Sequence, residues 1–236
     1  MKSDISKSVI KAHDIRQFQF RDTPFVKLMN KRIYNILMIA SRYDMFILQD
    51  DGRVEEQIFN EYASLNLRYP PLFTQVSTRK EVMSELKTNR YDLIICMPNM
   101  DNSEVFEMAK IIKADHPHIP IVVLTPFSKS VTKTLEKEDL SGIDYVFSWL
   151  GDADLLLAII KLIEDRMNVE NDVKTVGVQT IMLVEDSVRF YSSELSLLYK
   201  FVLFESKEFS KEALNEHQRM LRMRGRPKIL LARSYE

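Results

Sequence analysis

Short apolar segments alternate with stretches of helical spacing along the first two thirds of the chain. Residues 54–67 illustrate the helical stretches, because Val54, Ile58 and Tyr62 fall on one face of a helix. The apolar segments are typical of strands buried on both faces, and they occupy residues 33–40, 73–76, 93–97, 119–124 and 143–147. Parallel strands need crossover connections, which are usually helices. The pattern therefore predicts an α/β fold built on a doubly wound, five-stranded parallel sheet.

Three local signals add detail to this sheet. Ser77 or Thr78, followed by Glu81, predicts a capping box at the start of the second helix. Residues 128–138 predict a short polar helix between the fourth and fifth strands. The helix after the fifth strand is expected to end near Met167, where the sequence becomes polar.

The sequence after this helix predicts a second, partial domain. A polar stretch with one glycine is typical of a linker, and the strand–helix–strand pattern then restarts at Thr180. We therefore expect four parts: an N-terminal arm over 1–31, a complete domain over 32–168, a linker over 169–179, and the first part of a second domain of the same kind over 180–236.

The helical stretch of the second domain, residues 188–223, is long for this kind of fold. Unbroken, it would span about 54 Å at 1.5 Å per residue. Its apolar residues recur at three and four positions, as in a short coiled coil: Val188, Tyr191, Leu195, Leu198 and Val202. We expect an unbroken helix that pairs with a second copy as a homodimer, and the alternative is a break near Ser206 into two helices.

Composition narrows the classes of function. The chain has 236 residues and a formal net charge of -1, so no overall field favours nucleic acid or an anionic membrane. No apolar run is long enough to cross a membrane, and the first residues do not resemble a secretory signal. Cys96 is the one cysteine, so no internal disulfide forms and a cytoplasmic setting is expected.

Several stretches resemble the receiver domain of two-component response regulators. Residues 91–95, with the loop MPNMDN at 97–102, are similar to its third strand and the turn that follows. Residues 119–125 and 143–147 are similar to its fourth and fifth strands, and residues 181–187 to the first strand of a second receiver. The resemblance implies the flavodoxin-like strand order 2-1-3-4-5 and a regulatory role in signalling.

The resemblance also implies a chemistry whose residues are largely replaced here. Receivers hold Mg²⁺ with an acidic pair after the first strand, phosphorylate an aspartate after the third, and place a lysine after the fifth. The corresponding positions hold Ala40 and Ser41, then Cys96 or Met97, then Ser148, while Thr125 is kept. We therefore expect a pseudo-receiver with no catalytic residue, no metal and no cofactor. In the second unit, Glu185 and Asp186 match the acidic pair, so Mg²⁺ is expected only in a completed second receiver.

Longer stretches are similar to the N-terminal region of large Bacteroidetes proteins related to phosphoenolpyruvate synthase and pyruvate phosphate dikinase. They include LNLRYPP, IDYVFSWLGDADLLLAIIKLIEDR and RMRGRPKILLARSYE. This resemblance implies that the segment is a regulatory piece without enzyme activity. It also implies that the full-length protein is a phosphotransferase acting on pyruvate or phosphoenolpyruvate.

Other candidate residues have a bland interpretation beside the functional one. Phe147, Trp149 and Leu150 form either a docking face for a partner or neighbouring domain, or a plug in the altered pocket. Cys96 is expected to be a small hydrophobe rather than a redox sensor. Turn formation is the favoured role for four aspartates, Asp44, Asp50, Asp51 and Asp101. A cluster of basic residues is expected to stabilise the C-terminus of a helix through the helix dipole: Arg219, Arg222, Arg224, Arg226 and Lys228.

Three functions remain open from the sequence. The favoured one is a non-catalytic regulatory module that acts through contacts with a protein partner or an attached catalytic domain. The second is a response regulator that is phosphorylated on the second receiver. The third is a small-molecule sensor that uses the altered pocket at the carboxyl ends of the strands.

Overall fold

The computed structural model describes residues 26–44, 46, 54–65, 67, 69–98, 104–126, 139–149, 153–211, 213 and 215–233. The strands are β1 Asn35–Ile39, β2 Leu72–Val76, β3 Leu93–Cys96, β4 Ile121–Pro126, β5 Tyr145–Trp149, β6 Thr180–Val184 and β7 Lys228–Ala232. The helices are α1 Val54–Ser64, α2 Arg79–Thr88, α3 Glu104–Asp115, α4 Ala153–Val176, α5 Val188–Ser210 and α6 Glu216–Arg224. Within these residues, no helix combines the length and the apolar character that crossing a membrane requires.

The first five strands form one parallel sheet in the order β2-β1-β3-β4-β5. β1 lies between β2 and β3 and pairs in parallel with both, and β3 is the central strand. The order and the all-parallel pairing confirm the predicted doubly wound, flavodoxin-like fold. The predicted capping box is also confirmed, because Thr78 and Glu81 bond each other's backbone at the start of α2. The helix predicted over 128–138 lies outside the described residues.

The two faces of the sheet are buried by different helices, as the period of two along a strand requires. Alternate residues of β1, Ile36 and Met38, belong to a core with α1 and α4. Their neighbours Leu37 and Ile39 belong to a second core with α2 and α3. The carboxyl ends of the strands, where open α/β sheets bind ligands, are thereby fixed between two packed layers.

Helix α4 is longer than the sequence predicts. The expected end near Met167 is wrong, because α4 continues to Val176 and takes up most of the predicted linker over 169–179. Two polar residues at this point are buried and bonded: Asn168 bonds the backbone of Lys31, and Asp172 accepts from the amide of Met29 at 3.1 Å. Residues before β1 therefore hold the second half of α4.

The second unit contains a parallel pair of strands, β6 and β7, joined through α5 and α6. The prediction of one unbroken helix over 188–223 is wrong, because α5 ends at Ser210 and α6 begins at Glu216. The side chain of Asn215 caps α6 by accepting from the amide of Gln218 at 2.9 Å. Ala213 is buried in the turn between the helices, so the break buries apolar surface that an extended helix would expose.

Helix α5 lies along the outer edge of β5. The hydroxyl of Tyr191 donates to the carbonyl of Val146, and the amide of Ser148 donates to the hydroxyl of Ser192 at 2.9 Å. The ring of Tyr191 stands edge-on to that of Phe147, with centroids 5.5 Å apart. An uncovered edge strand invites pairing with other chains, and α5 blocks that pairing here.

A buried carboxylate on α4 joins the two units. Asp165 is fully buried and accepts two hydrogen bonds of 2.8 Å from the guanidinium of Arg226. It also accepts from the Tyr199 hydroxyl at 2.8 Å and from the amide of Ile229 at 3.0 Å. A buried charge is very costly without such compensation, so the carboxylate favours one placement of α5 and β7 against α4.

A second buried ion pair lies further along α4. The ammonium of Lys228 is 3.1 Å from Asp172 and donates to the carbonyl of Arg224 at 2.9 Å. Burial, together with the charge of Arg226, lowers the pKa of Lys228 to about 8, despite the opposing charges of Asp165 and Asp172. The ends of β7 and α6 are thus tied to α4 at two points.

Removal of one partner of the Asp165 pair is expected to destabilise the protein strongly. Asp165→Asn and Arg226→Met should each lower the free energy of unfolding by about 3–5 kcal/mol, because each leaves a buried group unpaired. The double variant should lose less than the sum of the two, as measured by urea denaturation.

The matched control is Glu170→Gln, which breaks an exposed ion pair with Lys174 on the same helix. We expect no measurable loss there, since exposed pairs contribute little. Additive losses at Asp165 and Arg226, or losses no larger than that of the control, would contradict the assignment.

Candidate functional site

The receiver-type positions lie together at the carboxyl edge of the large sheet. Ala40 directly follows β1, Cys96 ends β3, and Thr125 is paired in register with Ser148 on β5. These four residues are at most 4% exposed. The edge is therefore closed at these positions by small or uncharged side chains that pack into the sheet.

The polar groups at this edge are few, and most of them bond the backbone. Thr125 donates to the carbonyl of Phe147 at 3.3 Å, and the amide of Met97 donates to the carbonyl of Ile39 at 2.8 Å. The Ser148 hydroxyl is buried and has no hydrogen-bond partner among the described residues. None of these side chains is a carboxylate, the hard oxygen ligand that Mg²⁺ prefers.

Ser41 and Asp44 form a local cap just after β1. The Ser41 hydroxyl donates to the Asp44 carboxylate at 2.6 Å and accepts from the Asp44 amide at 3.1 Å. Asp50, Asp51 and Asp101 lie outside the described residues. Among the residues that the structure describes, no three acidic, histidine or cysteine side chains come together in a metal-binding group.

Cys96 has the environment of a core residue. It is fully buried within the cluster that α2 and α3 form on the sheet. Burial raises the pKa of the Cys96 thiol to about 12, because the apolar surroundings disfavour the thiolate. Since the thiolate is the reactive form, this cysteine is suited to packing and not to redox sensing.

The acidic pair of the second unit follows β6. The amide of Glu185 donates to the carbonyl of Ala232, and one carboxylate oxygen of Glu185 accepts from the amide of Ser187 at 2.9 Å. Glu185 and Asp186 thus stand at the carboxyl end of a parallel strand, as the receiver resemblance implies. Magnesium binding by this pair stays a prediction.

The predicted interaction cluster is in contact with the second unit. Phe147 is fully buried against Tyr191 of α5, and Trp149 is half-buried at the end of β5. Leu150 lies outside the described residues. The contact favours docking of a neighbouring unit of the same chain over a plugged pocket, and this interpretation stays a prediction.

Sequence reasoning missed the acidic partners of the basic residues near the C-terminus. The sequence favours a place for these residues at an exposed helix C-terminus. In the structure Arg226 is buried and paired with Asp165, and Lys228 is buried and paired with Asp172. The partners are more than fifty residues apart in sequence, so local spacing does not reveal them. A signal available in the sequence was Asp165, which closely follows a stretch of α4, residues 155–163, that is apolar on nearly all sides.

Comparisons with known proteins find likenesses among solved structures only. No protein-family model matches the chain, and no curated protein matches it. The response regulator DrrB of Thermotoga maritima is 16% identical with a TM-score of 0.41, and the match covers 58% of this chain and 54% of that structure. The chain therefore spans about half of the length of DrrB.

Two further likenesses are receiver domains. The signal receiver domain of an HD domain-containing protein from Pseudomonas fluorescens Pf-5 is 20% identical, with a TM-score of 0.38 and coverage of 59% of this chain and 97% of that domain. The receiver domain of RcsB from Salmonella enterica serovar Typhimurium is 17% identical, with a TM-score of 0.38 and coverage of 56% of this chain and 88% of that domain. Because these TM-scores are below 0.5, the fold assignment rests on strand order and register instead.

We expect Cys96 to be unreactive in the folded protein. At pH 8 a thiol with a pKa of about 12 is almost entirely protonated, so a disulfide reagent such as dithionitrobenzoate should label no thiol. In denaturant it should label one thiol per chain, and absorbance of the released product measures both. Rapid labelling without denaturant, at the rate of a model thiol, would contradict this burial.

Proposed function

We propose that the chain is a non-catalytic regulatory module, in which a pseudo-receiver acts through contacts with the unit that follows it. The observation that carries the proposal is the carboxyl edge of the sheet. Ala40, Cys96 and Ser148 stand there where phosphoryl transfer would need a metal ligand, a nucleophile and a balancing cation. Side chains of these types, packed below the surface, do not supply that chemistry.

The outer edge of β5 is the surface through which this module acts, in our proposal. Support comes from the two hydrogen bonds and the ring contact that α5 makes with Val146, Phe147 and Ser148. Helix α4 contacts both the large sheet and the second unit. A shift of α5 or β7 would therefore displace α4 and change its packing in the core of the pseudo-receiver. Contact is thus the available means of passing a signal.

The wider setting that we propose is regulation of an attached catalytic region. The resemblance to N-terminal regions of phosphoenolpyruvate synthase and pyruvate phosphate dikinase-like proteins favours a phosphotransferase there. The described residues supply the regulatory part of such a protein, and its partner would be the attached domain. The enzyme activity would belong to the region outside this chain.

Two alternatives remain from the sequence. Phosphorylation of a completed second receiver is supported by the position of Glu185 and Asp186 after β6. Small-molecule sensing at the altered pocket is less favoured, because Ala40, Cys96 and Thr125 are buried.

Incubation with a phosphodonor tests whether the first domain is a pseudo-receiver. We expect incubation with acetyl phosphate and Mg²⁺ to leave the intact mass of the chain unchanged, because no acyl phosphate forms at the carboxyl edge. The control is Asp186→Asn, which removes one proposed magnesium ligand of the second unit. The second receiver is tested in the same way in a protein that includes its third strand, where loss of the phosphoryl group in this variant would support that alternative. A phosphoryl group that persists and maps to residues 32–167 would contradict the pseudo-receiver.

A homodimer through α5 is also proposed, on a face different from the predicted one. Tyr191, Leu195 and Val202 of the expected seam are buried within the chain, so they do not form it. The residues of α5 that are more than half exposed include Phe190, Leu197, Phe201 and Phe204. Residues 190, 197 and 204 repeat at seven positions, which places them on one stripe suited to a second copy of the helix.

Disruption of this stripe should change the state of association. Phe201→Glu is expected to shift the protein from dimer to monomer, because it places a charge in an apolar contact. Analytical ultracentrifugation over a concentration series measures the shift. The control is Phe59→Glu, an exposed aromatic residue on α1 that lies outside the stripe. Monomeric wild-type protein at the highest concentration would rule the dimer out.

A further inference from the structure

A cavity lies at the edge of the large sheet opposite the receiver-type positions. Its volume is about 190 Å³, and its walls include Met29 and Arg32 before β1, and Tyr69 before β2. Residues that precede parallel strands lie at the amino edge of a sheet. The cavity is therefore separate from the carboxyl edge, where Ala40 and Ser148 stand.

The cavity is shared by both units of the chain. Helix α4 contributes Lys161 and Glu164 to its wall, and the second unit contributes His217 and Arg224 from α6 and Arg226 after it. A ligand in this position would touch the segment before β1, the central helix and the second unit at once.

The polar groups of the wall are predominantly cationic. Among the described residues of the wall, arginine and lysine contribute four side chains, and Glu164 is the one carboxylate. Asp165, behind the wall, offsets Arg226. With Asp165 included, the cations still outnumber the carboxylates by four to two, so the cavity attracts anions.

Two of the cations, Lys161 and Arg226, are held in place by ion pairs within the chain. Lys161 lies 2.8 Å from Glu164, and Glu164 in turn accepts from the amide of Ile33 at 3.2 Å. Lys161 also lies over the ring of Tyr62, 4.4 Å from its centroid. Burial by itself would lower the pKa of Lys161, but the charge of Glu164 and the contacts with Tyr62 together raise it, so Lys161 keeps its charge.

Arg32 offers donors that an incoming anion would use, and Arg224 adds a second positive charge to the wall. Arg32 makes a single long contact of 3.5 Å with the carbonyl of Met29, and no carboxylate among the described residues pairs with it. Arg224 donates through one nitrogen to the carbonyl of Val26 at 3.0 Å. Planar guanidinium groups carry five donors each, which match the oxygens of phosphate in pairs.

We propose that this cavity binds a small dianion of the phosphate class, with donors from Arg32 and Lys161 and the positive charge of Arg224 close by. The volume favours a small ligand, since drug-sized ligands occupy pockets of roughly 300–1,000 Å³. Charge-assisted hydrogen bonds to phosphate are strong, and the forked geometry of arginine adds specificity. Since the wall spans both units, an occupied cavity stabilises their docked arrangement. The site stands independently of the regulatory role proposed above.

The test is a titration of the full chain with inorganic phosphate and with pyrophosphate. Ionic strength is held constant with chloride, and calorimetry measures the dissociation constant. We expect saturable binding of at least one of the two, together with a rise in the thermal midpoint of unfolding. Arg32→Gln should weaken the binding about tenfold or more, since it removes a charged donor.

The control is Arg90→Gln, an exposed arginine before β3 that does not line the cavity, and it should bind as the wild type does. If Arg32→Gln perturbs the circular dichroism spectrum, Arg224→Gln replaces it. The proposal is overturned if neither phosphate nor pyrophosphate binds saturably. It is also overturned if the folded Arg32→Gln or Arg224→Gln variant binds the anion as tightly as the wild type. Malonate that binds as tightly as the phosphates overturns the phosphate class.

Discussion

The buried carboxylate of Asp165 is the group on which the arrangement of this chain depends. It sits on α4 and receives donors from Arg226, Tyr199 and Ile229, which belong to three different parts of the second unit. An isolated charge in a protein interior is strongly disfavoured, so the second unit must dock with all three donors in place. One helix of the first domain thereby determines where the second unit lies.

Docking of the second unit explains how the outer edge of β5 is covered. With α5 held against α4, Tyr191 and Ser192 satisfy backbone groups of β5 that would otherwise face solvent. The same packing leaves a cavity between the segment before β1, α4 and α6. The covered β5 edge and the cationic cavity are therefore two consequences of one interface, and each affects what the module contacts.

The apolar runs of the sequence predicted the five-stranded sheet well, because a strand buried on both faces has a distinctive composition. The end of α4 could not be predicted in the same way. Asn168 and Asp172 are polar, and their partners at Lys31, Met29 and Lys228 are brought close only by the fold. The break after Ser210 depends likewise on burial of Ala213 in the turn before α6, which no local pattern shows. At the candidate site, the sequence identified the residue types at Ala40 and Ser148 but not the contact of Ser148 with Ser192.

Amide hydrogen exchange at Ser148 and Ile229, followed by nuclear magnetic resonance, tests the docked arrangement most directly. The first amide donates to Ser192 and the second to Asp165, so both bonds cross between the two units. The account predicts protection comparable to that of Val123 on β4, an interior strand of the large sheet. Exchange at the rate of exposed amides, with Val123 still protected, would show that the second unit is not held against the first.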